Sequence, residues 1–193
     1  VGHGLDAAHA PGAEDPGQGI EDGQEAAALA GSRQRKCAPG VAQTHAEHID
    51  DAYIATQHYG VKEVLIVASL IEEETANSDE SYKIASVIYN RLTNQKEYPY
   101  LNIDATLLYV LGHKEALTSE DLAYESPYNT NINKGLIPGP ITNPGLNSIN
   151  AALNPDNTNY HYYVLDTKAE SRQHHFSETY DEHVNFINSL KEG

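Results

Sequence analysis

VKEVLIVASLIEEET (Val61–Thr75) is the stretch whose reading decides the fold. Its apolar groups recur around nearly the whole helical circumference, so it predicts a buried helix of about 15 residues. On a wheel of about 100° per residue with Val61 at 0°, Leu65 falls near 40°, Ala68 near 340°, Thr75 near 320° and Val64 near 300°. Glu72 falls near 20°, inside that arc, while Glu73 and Glu74 fall near 120° and 220°. On this reading Glu72 is the acid least able to reach water, and burial raises the pKa of a carboxyl. An acid that keeps its proton near neutral pH suits general-acid cleavage of a glycosidic bond. The structural alternative is that EEET is a solvated helix end, although the macrodipole disfavours acids there.

The neighbouring segments carry helix signals of their own. HIDDAYIATQHYGV (His48–Val61) reads as a helix ending at Gly60. Asn77 or Ser78 can cap the next helix, in which Ile84, Val87, Ile88 and Leu92 of YKIASVIYNRL (Tyr82–Leu92) hold helical spacing. Asp104 can cap DATLLYVL, which stops at Gly112, and Thr118 with Asp121 makes a capping-box pattern. SPYNTNINKGLIPGPITNPG (Ser126–Gly145) holds four prolines and three glycines and reads as a loop. LNSINAAL (Leu146–Leu153) is a helix entered through Pro144. YHYYVLD (Tyr160–Asp166) has strand composition and pairs with RQHHFS (Arg172–Ser177) as a hairpin. Thr179 and Glu182 start the last helix, YDEHVNFINSL. The expected class is α+β, mainly helical, with a small antiparallel sheet near the C-terminus.

Composition divides the chain. The first 50 residues contain no Tyr, Phe or Asn, and eight of the 14 glycines precede residue 41. Residues 1–45 hold too few large apolar groups to offset the entropy of ordering and are read as disordered or non-native. The chain has no methionine, so Val1 is not expected to be a native start. Residues 46–193 are read as the folded domain. Twelve basic against 28 acidic side chains, a net charge of -16 and a pI near 4.8 argue against nucleic-acid binding or polybasic membrane docking. No apolar run is long enough to span a bilayer. The lone Cys37 excludes an internal disulfide, and His3, His9, His45 and His48 have no metal-site spacing. Neither metal nor cofactor is expected.

Other candidates each have a bland reading. Asp104 is accounted for as a cap. Asn90 and Arg91 share a helix whose apolar face lies elsewhere, and Arg91 could pair with an acid. His174 and His175 on a half-buried strand are ordinarily structural. Tyr128, Asn129 and Thr130 could line a sugar groove, since tyrosine faces stack on sugar rings, or serve turn chemistry.

The chain resembles the endolytic murein transglycosylases, the MltG/YceG-like family. The blocks that carry the resemblance stand in family order: ASLIEEET (Ala68–Thr75), IASVIYNRL (Ile84–Leu92), IDATLLY (Ile103–Tyr109), SPYNTNINKGLIPGPITNPGLNSINAALNP (Ser126–Pro155), YHYYV (Tyr160–Val164) and HHFSETYDEH (His174–His183). The resemblance implies a lytic transglycosylase that cuts peptidoglycan glycan strands internally, in cell-wall synthesis and remodelling. It maps the catalytic glutamate onto Glu72 and the second acid of that block onto Glu74. It maps Asp104 onto an aspartate of the D-x-T block, Asn129 onto the loop asparagine and His174 onto the histidine before the F-S pair. The chain departs from the family pattern at Ala105, where proline is usual, at Ile137-Pro138 in place of a double proline, and at ESRQ (Glu170–Gln173) in place of a glycine-rich turn.

The implied chemistry needs one acid, Glu72, with Glu74, Asn90, Asp104, Tyr128, Asn129 and His174 as candidate substrate contacts. Glycan strands are the expected partners, with cell-wall synthases beside them. The family is anchored in the cytoplasmic membrane with its catalytic domain outside, and the anchoring helix and LysM-like region are not found in this chain. Two rivals stand: a hydrolytic muramidase using Glu72 and Asp104, and a non-catalytic glycan-binding module. A chain rendered inactive by loss of its anchoring half is a third.

Overall fold

The computed structural model describes residues 59–75, 77–170 and 172–191. The reading of residues 1–45 lies outside them, as does the helix expected to end at Gly60 up to residue 58; Tyr59 and Gly60 are described and are not helical. Gly60, extended and left without a side chain, precedes helix α1 (Val61–Glu74), which ends at Thr75. A short 3-10 turn, Ser78–Glu80, follows, with the Asn77 side chain accepting from the Asp79 N–H. It leads into α2 (Ser81–Thr93). Then come α3 (Asp104–Leu111), α4 (Ser119–Leu122), α5 (Leu146–Leu153), the hairpin β1 (Tyr162–Asp166) and β2 (Gln173–Ser177), and α6 (Tyr180–Lys191). The hairpin is antiparallel, with Tyr163 opposite Phe176 and Leu165 opposite His174. The fold is α+β with helices predominating.

Local chemistry accounts for the boundaries. Gly112 ends α3 at φ 85°, a conformation that favours glycine. Thr118 and Asp121 form the reciprocal capping box of α4, and Lys114 pairs with Asp121 from outside it. The Glu182 carboxylate accepts from the Thr179 N–H while the Thr179 hydroxyl accepts from the Glu182 N–H, which starts α6. Asp104 is not a cap: Ile103 occupies that position and Asp104 opens the first turn, where its charge complements the helix dipole.

The core is the layer where α1, α2 and α5 pack, filled by Val64, Val67, Leu70, Ile71, Ile84, Ile88 and Ile149. Burial of these side chains is the main force holding the three helices together. Tyr89 ties α2 to α5 by donating to the Ala152 carbonyl at 2.9 Å. No helix among the described residues is long and apolar enough to cross a membrane.

Polar groups of α2 fix the hairpin to this layer. The Asn90 amide donates to the carbonyls of Thr158 and Tyr160, each at 2.9 Å. Arg91 is 5% exposed and, among the described residues, pairs with no acid. Its guanidinium donates to the carbonyls of His161, Tyr100 and Leu101 and to Asn102 Oδ1, at 2.7–3.1 Å. It also lies over the rings of Tyr162 and Tyr98, a cation–π arrangement. Burial alone lowers the Arg91 pKa, and the acceptors around it offset that cost. Arg91→Ala leaves buried carbonyls unpaired and should cost about 3 kcal/mol or more of unfolding free energy in urea titration. Arg91→Lys should not restore it, because an ammonium cannot reproduce the planar fork.

Candidate functional site

The last turn of α1 presents three consecutive glutamates to three different environments. Glu72 is exposed, which corrects the expectation that it is shielded from water. Its carboxylate is nonetheless held. Oε2 accepts from the Gly145 N–H at 3.1 Å and from the Ser148 hydroxyl at 2.6 Å. Gly145 is both the last residue of the proline-bearing loop and the cap position of α5, while Ser148 lies in the first turn of that helix and is buried. The negative group therefore sits at a helix N-terminus, the end whose free N–H groups attract anions. Among the described residues, Oε1 of Glu72 has no bonded partner.

The loop is clipped to α1 one turn earlier as well. The Ser69 hydroxyl donates to the Ile66 carbonyl at 2.7 Å and accepts from the Ile141 N–H at 3.1 Å. Loop residues 141–145 thus run beside the Ser69 and Glu72 face of α1. Tyr128 lies half-buried under the same loop, its ring 5.0 Å from that of Tyr109. A Cβ added at Gly139 would meet the Tyr128 hydroxyl at 3.4 Å, an ordinary contact, so the loop passes beside Tyr128 here.

The acid that water cannot reach is Glu74, 1% exposed. Its Oε2 accepts from the Tyr163 hydroxyl at 3.0 Å. Its Oε1 has no hydrogen bond of good geometry, although the Ala105 N–H lies close enough to help hold a charge there. Burial, above all, raises the Glu74 pKa to about 7; the Tyr163 hydroxyl opposes the rise, and the charges of Asp104 and Glu73 add to it. Burial likewise holds the Tyr163 hydroxyl well above its ordinary value.

The remaining candidates serve the framework. Asn129 is fully buried and its amide is spent inside the loop. It donates to the Leu122 and Tyr124 carbonyls and accepts from the backbone and side-chain amides of Asn131. Asn90 is committed to the segment before β1. His174 is buried against Glu80, whose two oxygens take its backbone N–H at 2.7 Å and its Nδ1 at 2.9 Å. Its neighbour His175 stacks on Phe186 at 3.8 Å. Among the described residues none of these three candidates is hydrogen-bonded to the Glu72 carboxylate, whereas Asp104 lies close enough to act electrostatically on Glu74. Sequence reasoning missed Ser69, Glu80, Ser148 and Tyr163. Among the described residues no group of three or more His, Cys, Asp or Glu side chains is arranged to hold a metal ion.

The stability of the folded chain carries the signature of Glu74. Its ordinary value is 4.5, so above that pH the unfolded chain ionises while the folded protein keeps the proton up to about 7. Stability therefore falls as pH rises through that window, by on the order of 3 kcal/mol, and this contribution levels off above it. Glu74→Gln should remove that fall; urea denaturation at pH 5 and pH 8 measures it.

Comparison with known proteins shows which family the chain is similar to. A family model described as the YceG-like family matches residues 24–189. The chain is 47% identical over 124 residues to an endolytic murein transglycosylase of Bacillus subtilis, covering 64% of this chain and 33% of that protein. It is 35% identical over 119 residues to an endolytic murein transglycosylase of Streptococcus pneumoniae, covering 58% of this chain and 21% of that one. The crystal structure of a yceG-like protein from Listeria monocytogenes superposes with a TM-score of 0.61 at 41% identity, covering 69% of this chain and 41% of that chain. The chain thus spans about a third or less of the length of these curated relatives.

Proposed function

The chain belongs to the YceG-like family, and from that premise we propose that it is an endolytic lytic transglycosylase acting on the glycan strands of peptidoglycan. Glu72 is the reacting acid. The observation that carries this reading is the placement of its carboxylate. It is open to solvent, yet fixed from behind by Gly145 and Ser148 where α1, the loop and α5 meet. A polymer cut internally must lie across a surface, so its acid must be exposed as well as oriented. A carboxyl sealed in the core, as Glu74 is, cannot touch such a substrate.

The steps follow from that geometry. A glycan strand laid along the loop covers Glu72 and excludes water from the reacting atoms. Glu72, with Oε2 held by its two donors, delivers a proton from Oε1 to the oxygen of the β-1,4 bond between N-acetylmuramic acid and N-acetylglucosamine. The bond from C1 of the muramic residue to that oxygen breaks, and positive charge grows toward an oxocarbenium ion at C1. The ionised Glu72 offsets that charge and then takes the proton of the C6 hydroxyl of the same sugar. The C6 oxygen bonds to C1 and leaves a 1,6-anhydro end. Since the nucleophile is already attached to the substrate, proximity supplies much of the rate and no second carboxylate has to activate water. The Tyr128 ring and hydroxyl, beside Gly139, offer a stacking and hydrogen-bonding surface for a flanking sugar. The extracytoplasmic location of the family's catalytic domain, where peptidoglycan lies, fits this substrate, and wall synthases are its natural neighbours.

A hydrolytic muramidase would instead need Asp104 as a second carboxylate working with Glu72. Mass spectrometry of purified glycan strands digested by this chain in water enriched in oxygen-18 separates the two. The expected products carry anhydro ends and no heavy oxygen, and Glu72→Gln should slow cleavage by roughly 10²-fold or more. Reducing ends labelled with oxygen-18 would establish hydrolysis. Unaltered cleavage by the Gln variant would remove Glu72 from the reaction, and binding without cleavage by the parent chain would favour a glycan-binding module.

A further inference from the structure

Glu74 lies one residue beyond the exposed acids, on the opposite face of α1, and the reaction just described does not use it. It is the last residue of the helix, and after Ile71 it is the one side chain of α1 that enters the core. The final turn is consequently pinned at two points. Outside, Glu72 is held to α5 by Gly145 and Ser148. Inside, Glu74 is held to β1 by the Tyr163 hydroxyl.

The groups that face the inner pin are few and mostly acidic or neutral. β1 supplies Tyr163 and α3 supplies the Asp104 charge and the Ala105 N–H, while Glu73 adds like charge from α1 itself. Arg91 and His174 face Tyr163 rather than Glu74: the guanidinium acts on the phenol electrostatically, and the imidazole meets the ring edge-on at 5.4 Å. No cation among these groups touches the Glu74 carboxyl. A protonated Glu74 is tolerable in this setting, because one oxygen is bonded and the acid is neutral. An ionised Glu74 keeps the Tyr163 hydrogen bond and has partial support from the Ala105 N–H, but it is shut off from water, has no cation against it and has two acidic neighbours. The available relief is for the terminal turn of α1 to shift toward water, and Glu72 rides on that turn.

We propose that Glu74 is a positioning residue for Glu72: its neutral carboxyl pins the last turn of α1 to β1, and its ionisation loosens that turn and draws Glu72 away from Gly145 and Ser148. The functional consequence rests on Glu72 being the reacting acid, whereas the structural coupling does not. The exposed acid is thereby set by a buried one that never meets the glycan, and catalysis acquires an alkaline limit that Glu74 imposes.

Two readouts test this on the chain as it stands. The first is the amide resonance of Gly145, the donor to Glu72, followed by proton–nitrogen NMR from pH 5.5 to 8.5. The parent should show a step with a midpoint near 7. Glu74→Gln, which keeps an acceptor for Tyr163 but cannot ionise, should lose that step. Tyr163→Phe, which removes the donor that favours the ionised form, should move the midpoint up by about one pH unit. A step that persists unchanged in Glu74→Gln, or a midpoint that ignores Tyr163→Phe, overturns the coupling. The second readout is the glycan-cleavage rate. Between pH 6 and pH 8 it should fall about tenfold further in the parent than in Glu74→Gln. A merely structural role for Glu74 would lower the rate at every pH and leave the profile's shape alone. If Glu72→Gln cleaves normally, the functional reading fails while the Gly145 titration still decides the coupling.

Discussion

The two hydrogen bonds that Glu72 accepts from Gly145 and Ser148 are the joint on which this molecule turns. They connect the end of α1, the end of the loop and the start of α5 through one oxygen atom. Each partner needs the others. The Gly145 N–H is among the free donors at a helix start, and the carboxylate satisfies it where no side-chain cap is present. The loop has no regular structure of its own and is ordered by such contacts, with Ser69 and Ile141 making another one turn away. The carboxylate gains a fixed orientation without losing access to solvent. That combination of fixed and reachable is what separates a reacting acid from the structural acids nearby.

The packing behind the joint explains why it can be rigid. α1, α2 and α5 bury their apolar faces against one another, and close packing at that density resists small displacements. Arg91 and Asn90 then fasten the hairpin by bonding the backbone carbonyls of Thr158, Tyr160 and His161, just before β1. The hairpin in turn carries Tyr163 to the underside of α1. The polar groups of the interior, Glu74 with Tyr163 and His174 with Glu80, lie where the hairpin meets the helical layer. They hold the two parts together through specific geometry more than through buried area.

Much of this was legible in the residues. The apolar density of Val61–Thr75, the Thr118/Asp121 and Thr179/Glu182 caps and the strand composition of Tyr160–Asp166 each encode local structure, and local chemistry is what a sequence displays directly. The assignment of burial among the glutamates was not legible in the same way. With apolar groups on nearly every side, the wheel offers two arcs. The arc through Leu70, Val67 and Ile71, at about 180°, 240° and 280°, faces the core and contains Glu74 at about 220°. The arc through Val61 and Leu65, which contains Glu72, is only half-buried. Choosing between them needs the position of α5, a tertiary fact. The partners of Glu72 lie 73 and 76 residues away, and those of His174 lie 94 away, so no local pattern announces them. The resemblance to a family pointed to Glu72 on other grounds, and the geometry that supports it is orientation at a helix N-terminus rather than burial.

The most direct test of the central claim is a crystal structure of the Glu72→Gln chain with an oligosaccharide of alternating N-acetylglucosamine and N-acetylmuramic acid. The strand should lie along residues 141–145, with a glycosidic oxygen about 3 Å from the residue 72 side chain and Gly145 still behind it. A strand bound on another face, or a residue 72 amide turned away from every glycosidic oxygen, would contradict it.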